Sequence, residues 1–370
     1  MSPTVDEKDT PKLNRMPTPR MTVAVVIPCF KCKSQIAEVL QRIPRRVDRI
    51  FVVDDACPEG TGRFVKSWLP NNDHRDPANA HGSNRIQVLF HTQNQGVGGA
   101  VMTGFRAALQ EGYHIVVKID GDGQMLPELI PALTQAIEDG EADYVKGNRF
   151  YSPEDLNEMP WVRVIGNGAL SFFAKLATGY WSCMDPHNGF IAVHRAALER
   201  LNFDHIEKRF FFEVDLLFQM SLQRAKVVEM PQASRYRDER SNLSVWKSLF
   251  TLPPKYLSRL ARRLFYTYFL RDFHYGSLAI LAGAPLLSFA IFFGGYHWYL
   301  SWAHARTASA GTVMLSALTF LVGFQFLLSA LQHDVASQPQ RPLQKTWRQT
   351  RLSDLGADTA KTEAERADSA

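Results

Sequence analysis

The chain has 370 residues, 45% of them hydrophobic and 21% charged, so a polypeptide too polar or too short to bury a core is excluded. Its net charge of +5 suits an anionic partner such as nucleic acid, a nucleotide or a lipid headgroup, and the clustering of basic residues beside apolar runs favours the membrane. Four cysteines, with one Cys29-x-x-Cys32 pair and no second pair, lack the ligands of a structural zinc site and read as reduced cytosolic thiols.

Residues 1–20 contain prolines and charges without an apolar core, which predicts a disordered lead-in and no signal peptide. Thr22–Ile27 (TVAVVI) is a continuous β-branched run stopped by Pro28, the pattern of a strand buried on both faces. A helix is expected over Ser34–Ile43, a second buried strand over Arg49–Val53 ending at Asp54-Asp55, and a helix over Thr61–Leu69. The polar stretch Asn71–Ser83 reads as a surface loop. Strands at Arg85–Phe90, His114–Ile119 and Asp143–Lys146 alternate with helices at Gly98–Gln110 and Pro127–Ile137, the latter with proline in its first turn. Alternation of this kind predicts an α/β domain with a mostly parallel sheet over residues 21–245. Ligands of such sheets sit at the carboxyl ends of the strands, where Pro28, Asp54-Asp55 and Asp120–Asp122 fall.

Beyond Asp155 the helical segments Val162–Thr178 and Phe210–Gln223 precede a short strand, Lys226–Met230, and the loop PQASRYRDERSNLS. Residues 246–274, and Lys255–His274 in particular, mix Lys and Arg with Leu, Phe and Tyr, as expected of an amphipathic helix lying at a membrane interface. Two uncharged runs follow, with candidate spans at 275–300 and 311–332, each long enough to cross roughly 30 Å of hydrocarbon. Buried helices of a soluble domain are the alternative, but two adjacent uncharged runs of this length favour the membrane. His297-Trp298-Tyr299 and Trp302 sit where an interfacial belt belongs. Lys255, Arg259, Arg262, Arg263 and Arg271 precede the first span, and Arg341, Lys345, Arg348 and Arg351 follow the second. The connection holds only Arg306, so the positive-inside rule predicts a cytoplasmic α/β domain on an integral membrane protein. Residues 337–370 are polar and are expected to be disordered. Glycines in the spans suit close helix approach and self-association into a homo-oligomer.

The segment Asp120-Gly121-Asp122-Gly123-Gln124 ends the fourth strand. A calcium-binding EF-hand loop would need glycine where Met125 stands and glutamate where Pro131 stands, so that reading fails. An acidic turn remains open. Alternate residues of an extended end point the same way, so Asp120 and Asp122 can converge on a Mg²⁺ or Mn²⁺ that also binds a ligand's phosphates. Gln95–Ala100 is not a dinucleotide fingerprint, because Val101 stands where the third glycine belongs. Its glycines, Gly98 among them, either offer backbone amides to a ligand or permit tight helix–strand packing.

The succession VVIPCFK, VVDDACPEGTG, NQGVGGA, KIDGDGQ and GNRF resembles the family 2 glycosyltransferases of GT-A fold. It is most similar to the polyprenyl-phosphate glycosyltransferases, over about Val23 to Leu331 and including two C-terminal spans. The resemblance implies an inverting transfer from a UDP- or GDP-hexose to undecaprenyl or dolichyl phosphate, with Mg²⁺ or Mn²⁺. Its partners would be the nucleotide-sugar, the polyprenyl phosphate and the bilayer, with no role for nucleic acid.

On the same basis Pro28, Phe30 and Lys31 would line the nucleotide, although Lys31-Cys32 replaces the usual Asn-Glu. Asp54 and Asp55 would contact base or ribose, and Asp120, Asp122 and Gln124 the metal and diphosphate. Asp122, Asp185 and Arg149 are the implied catalytic residues, Arg149 near the phosphates and Asp185 beside the acceptor-side loop Asn188-Gly189-Phe190. Arg237, Arg240 and Ser241, with Arg149, would clamp the acceptor phosphate. Two further readings stand beside this one: a membrane glycosyltransferase acting on a hydroxyl, and a non-catalytic adaptor. A hydroxyl acceptor needs a carboxylate base, for which Glu213 and Asp215 are the candidates.

Overall fold

The computed structural model describes residues 20–72, 85–151, 161–232 and 245–345. Strands β1 (Val23–Cys29), β2 (Arg49–Asp54), β3 (Ile86–Phe90), β4 (Ile115–Lys118), β5 (Tyr144–Asn148), β6 (Ile191–His194) and β7 (Val227–Pro231) form one sheet. Its order is β3-β2-β1-β4-β6-β5-β7. All neighbours pair in parallel except β6, which runs antiparallel to both β4 and β5.

The sheet is buried on both sides, which is why β1 reads as an unbroken apolar run. Val23, Val25 and Ile27 enter one core cluster while Ala24 and Val26 enter the other, following the two-residue period of a strand. Among the described residues these helices accompany the sheet: α1 (Ile36–Arg42), α2 (Thr61–Asn72), α3 (Val97–Gln110), α4 (Ile130–Glu138), α5 (Trp161–Thr178), α6 (Arg195–Leu198) and α7 (Phe212–Gln223). Helices α1, α2 and α4 cover the first face, and α3, α6 and α7 the second. Strand β6 was not visible in the sequence. It is a four-residue apolar run, too short to carry a period.

The chain then leaves the sheet through α8 (Val245–Leu264), which continues into a π-helical segment, Phe265–Arg271. Helices α9 (Tyr275–His304) and α10 (Ala310–Ala336) follow as an antiparallel hairpin. Both are long and apolar enough to cross a membrane, and only 17% and 11% of their most apolar windows are buried. Phe292, Trp298 and Trp302 are each more than three-quarters exposed. Large apolar surface of this extent is what a helix turns toward lipid.

The hairpin closes at Gly283 and Gly323. A Cβ on Gly283 would meet Phe326 Cβ at 2.9 Å, and one on Gly323 would meet the Leu287 backbone nitrogen at 2.7 Å. These glycines, expected to favour association between copies, are spent on contact within one chain. The foot of the hairpin is tied to the α/β domain through Asp334. Its carboxylate accepts from Arg263 (2.7 and 3.0 Å), Tyr268 (2.9 Å) and Trp181 (2.8 Å).

Residues 337–345, expected to be disordered, instead return to the domain. The Leu343 and Gln344 backbone amides donate to Asp143 at 2.7 and 2.9 Å, and the Gln344 side chain donates to the carbonyls of Ile137 and Ala142. A buried carboxylate at the start of β5 captures a polar segment that composition alone marks as solvated.

Candidate active site

The carboxyl ends of β1, β2, β4 and β5 form one rim, and most of the candidate residues lie on it. At the end of β1, Phe30 is 46% exposed and Lys31 takes a left-handed conformation with φ of 58°. The Lys31 backbone amide donates to Cys57 Sγ at 3.1 Å, which pins this turn to the loop after β2. All four cysteines are free and buried.

Asp54 and Asp55 sit at the end of β2, 4% and 3% exposed. The Asp54 carboxylate accepts the backbone amides of Cys57 (2.7 Å) and Gly62 (2.5 Å), so it organises the loop that opens α2. The Asp55 carboxylate accepts Gln95 N and Gly96 N, both at 2.8 Å, and pairs with His91 Nδ1 at 2.7 Å. Each aspartate therefore holds a loop on this rim.

Of the two readings of the glycine segment, the structure supports packing. The Gly98 amide donates to Lys208 O at 2.9 Å, and a Cβ there would lie 2.5 Å from Glu207 O and 2.7 Å from the Phe212 ring. The amide of Gly98 is thus taken by the chain itself.

The end of β4 is the electrostatic centre. Lys118, 1% exposed, places Nζ 2.7 Å from Asp120 Oδ1 and 3.6 Å from Glu213 Oε1 on α7. Burial works to lower its pKa, but the charges of Asp120, Glu213 and Asp122 overcome it and raise the pKa above the ordinary lysine value. Three carboxylates around one ammonium leave two negative charges in excess. Asp120 and Asp122 are half-buried, and Asp122 Oδ1 accepts the Gln124 backbone amide at 3.0 Å while the Gln124 side chain is exposed.

Sequence reasoning passed over Lys118. Its signal was a lysine inside an otherwise apolar strand, since a charged side chain is buried only when paired. Lys146 in β5 is the same case, fully buried and donating to the Asn188 carbonyl.

At the end of β5, Arg149 grips Asp185 through two parallel hydrogen bonds, Nε to Oδ2 at 2.7 Å and Nη2 to Oδ1 at 2.9 Å. Asp185 is 1% exposed. Burial pushes its pKa up, but the Arg149 guanidinium outweighs burial and holds it below the usual aspartate value. Asp185 opens a loop that ends at Phe190. Within it Gly189 lies over the β4 end, where a Cβ would run into Lys118 Nζ and sit 3.0 Å from Asp120 Oδ2. One loop therefore brings the Arg149–Asp185 pair and the Lys118–Asp120 pair together. Arg237, Arg240 and Ser241 lie outside the described residues.

The donor set at β4 fits a hard divalent cation: carboxylate oxygens with excess negative charge. Among the described residues no cluster of three or more acidic, His or Cys side chains forms a self-sufficient cage. Mg²⁺ is ordinarily held by one or two carboxylates together with phosphates of the substrate, so the two arrangements agree.

A mostly parallel sheet with an acidic strand end, a buried cation beside it and an arginine–aspartate pair on the same rim is the architecture of a GT-A-type fold. Residues 24–201 match the model of glycosyl transferase family 2. An undecaprenyl-phosphate mannosyltransferase of Micrococcus luteus is 31% identical over 214 residues, covering 57% of this chain and 82% of that one. A UDP-N-acetylglucosamine–dolichyl-phosphate N-acetylglucosaminyltransferase of Methanococcus voltae is 28% identical, over 58% of this chain and 86% of that one. A polyprenol monophosphomannose synthase of Mycolicibacterium smegmatis is 27% identical, over 58% and 77%. The chain belongs to the family 2 glycosyltransferases and is a glycosyltransferase.

Proposed function

We propose that the protein transfers a hexose from a nucleotide-sugar to a polyprenyl phosphate, with inversion, at the cytoplasmic face of the inner membrane. The observation that carries this reading is the junction of the charged rim with a membrane-length hairpin, made by α8 and Asp334. The named relatives support it, since two carry a polyprenyl phosphate in their names and the third a polyprenol monophosphomannose.

In this reading Asp120 and Asp122 hold Mg²⁺ or Mn²⁺, which when bound neutralises charge on the leaving nucleoside diphosphate. Lys118 aims the Asp120 carboxylate through an ion pair at 2.7 Å. Arg149, 34% exposed and oriented by Asp185, presents its guanidinium toward phosphate oxygen. A lipid phosphate is already anionic at pH 7, so it attacks the anomeric carbon without a general base.

A hydroxyl acceptor would need such a base, and both candidates already face a cation of this chain. Asp215 is fully buried and bonded to Arg259 at 2.6 and 3.2 Å, and Glu213 faces Lys118. The sugar itself differs between the relatives, mannose in two and N-acetylglucosamine in one.

The test gives purified protein in detergent undecaprenyl phosphate, Mg²⁺ and, in turn, labelled UDP-glucose, UDP-GlcNAc and GDP-mannose. One donor should yield lipid-linked label, and none from any donor would sink the proposal. Asp122→Asn should abolish turnover with the accepted donor; undiminished metal-dependent turnover in that variant would overturn the metal assignment.

A further inference from the structure

We infer that the hydrogen bond between His187 and Tyr256 is a positioning latch, through which the seating of α8 sets the shape of the Asp185–Phe190 loop. The loop has three attachments. Asp185 holds Arg149 at one end, and Gly189 lies against Lys118 and Asp120 at the other. Between them His187 reaches α8, with Nε2 2.7 Å from the Tyr256 hydroxyl. Burial pushes the His187 pKa down to about 4, so at pH 7 a neutral ring makes this contact.

Tyr256 is a firm anchor. It is 3% exposed, stands edge-on to Phe211 at 5.1 Å between ring centroids, and leans on Phe173 of α5 at 6.1 Å. The helix that carries it is held by a ladder of ion pairs at four-residue spacing, hence along one stripe of α8. Lys255 pairs with Glu207 at 2.7 Å, Arg259 with Asp215 at 2.6 Å and Arg263 with Asp334 at 2.7 Å. Asp334 belongs to the hairpin, and Glu207 and Asp215 to the segment that packs on the glycine loop and itself carries Glu213, the neighbour of Lys118. A shift of α8 relative to the sheet thus moves His187, and with it the loop that joins the two charged pairs. His187 and Tyr256 are positioning residues, acting through Arg149 and Asp120.

The kinetic consequence rests on the proposed acceptor; the structural one does not. Tyr256→Phe removes the hydroxyl and keeps the ring packing. In full-length protein in lipid nanodiscs, hydrogen exchange at the Asn188 and Phe190 amides should accelerate about fivefold, the worth of one net hydrogen bond. Exchange in β6 should not change. Combining Tyr256→Phe with His187→Leu should add nothing further, as expected of two halves of one contact. Loop exchange unchanged by Tyr256→Phe, or a double variant whose effects add, overturns the latch. With nucleotide-sugar and undecaprenyl phosphate, kcat/KM for the lipid should fall about fivefold at constant donor KM; wild-type lipid kinetics, or a matching rise in donor KM, would also overturn it. If the wild-type protein makes no lipid-linked product, the acceptor assignment has failed and the exchange experiment alone decides the latch.

Discussion

Lys118 Nζ and Asp120 Oδ1 lie 2.7 Å apart across the end of β4, with the lysine side chain 1% exposed and the aspartate 30% exposed. The buried partner is the cation, so the pair works by fixing the position of a half-exposed carboxylate. Lys118→Met would leave Asp120, Asp122 and Glu213 facing one another without an ammonium. Turnover should fall by roughly 100-fold, the scale of losing a preorganised charge at a reacting centre. Steady-state kinetics at saturating Mg²⁺ check this, and Lys118→Arg should not rescue, because Gly189 leaves no room for a larger group.

Arg149 and Asp185 are unequally buried, at 34% and 1% exposure of their side chains. Arg149→Met should destabilise the domain by about 3 kcal/mol, because it strands a buried carboxylate. Adding Asp185→Leu should recover most of that stability while activity stays lost. Thermal unfolding and turnover of the two variants separate the pair's structural part from its chemical part.

Two glycines make opposite predictions. A Cβ at Gly98 would press on Glu207 O at 2.5 Å, so Gly98→Ala should cost about 1–3 kcal/mol of stability. Gly166 on α5 has nothing within 4 Å of its would-be Cβ, so Gly166→Ala should be neutral or stabilise by up to about 1 kcal/mol. The measurement is the melting temperature of each variant beside the wild type.

His187 predicts a pH dependence. Its folded pKa, near 4 through burial, lies below the ordinary 6.5, so the unfolded chain binds the proton that the folded chain refuses. Its contribution is therefore complete above pH 6.5 and is lost as pH falls from there toward 4. His187→Gln should flatten the fall in melting temperature between pH 7 and pH 5.

The sheet and its rim were legible because each rests on local signals. Thr22–Ile27 could be read as a doubly buried strand from its continuous apolar run, and Asp120–Gln124 as the acidic turn that ends its neighbour. The hairpin was legible for the same reason, since length and absence of charge are properties of a segment. Strand β6 escaped because Ile191–His194 is shorter than any period. Gly98 kept two readings until Lys208, more than a hundred residues away, supplied the carbonyl that takes its amide.

What the sequence by itself determined is the alternation of strands and helices up to β5, the acidic end of β4 and two membrane-length helices. Each follows from hydrophobic periodicity, turn chemistry and charge within one window. What only the tertiary structure decided is the pairing of charges across windows: Lys118 with Glu213, Arg149 with Asp185, Arg263 with Asp334, and His187 with Tyr256. The members of these pairs are 36 to 95 residues apart, too far for any local pattern to carry. They meet because burial of a charge or a ring nitrogen is tolerable only beside a partner, and folding alone brings the partner there.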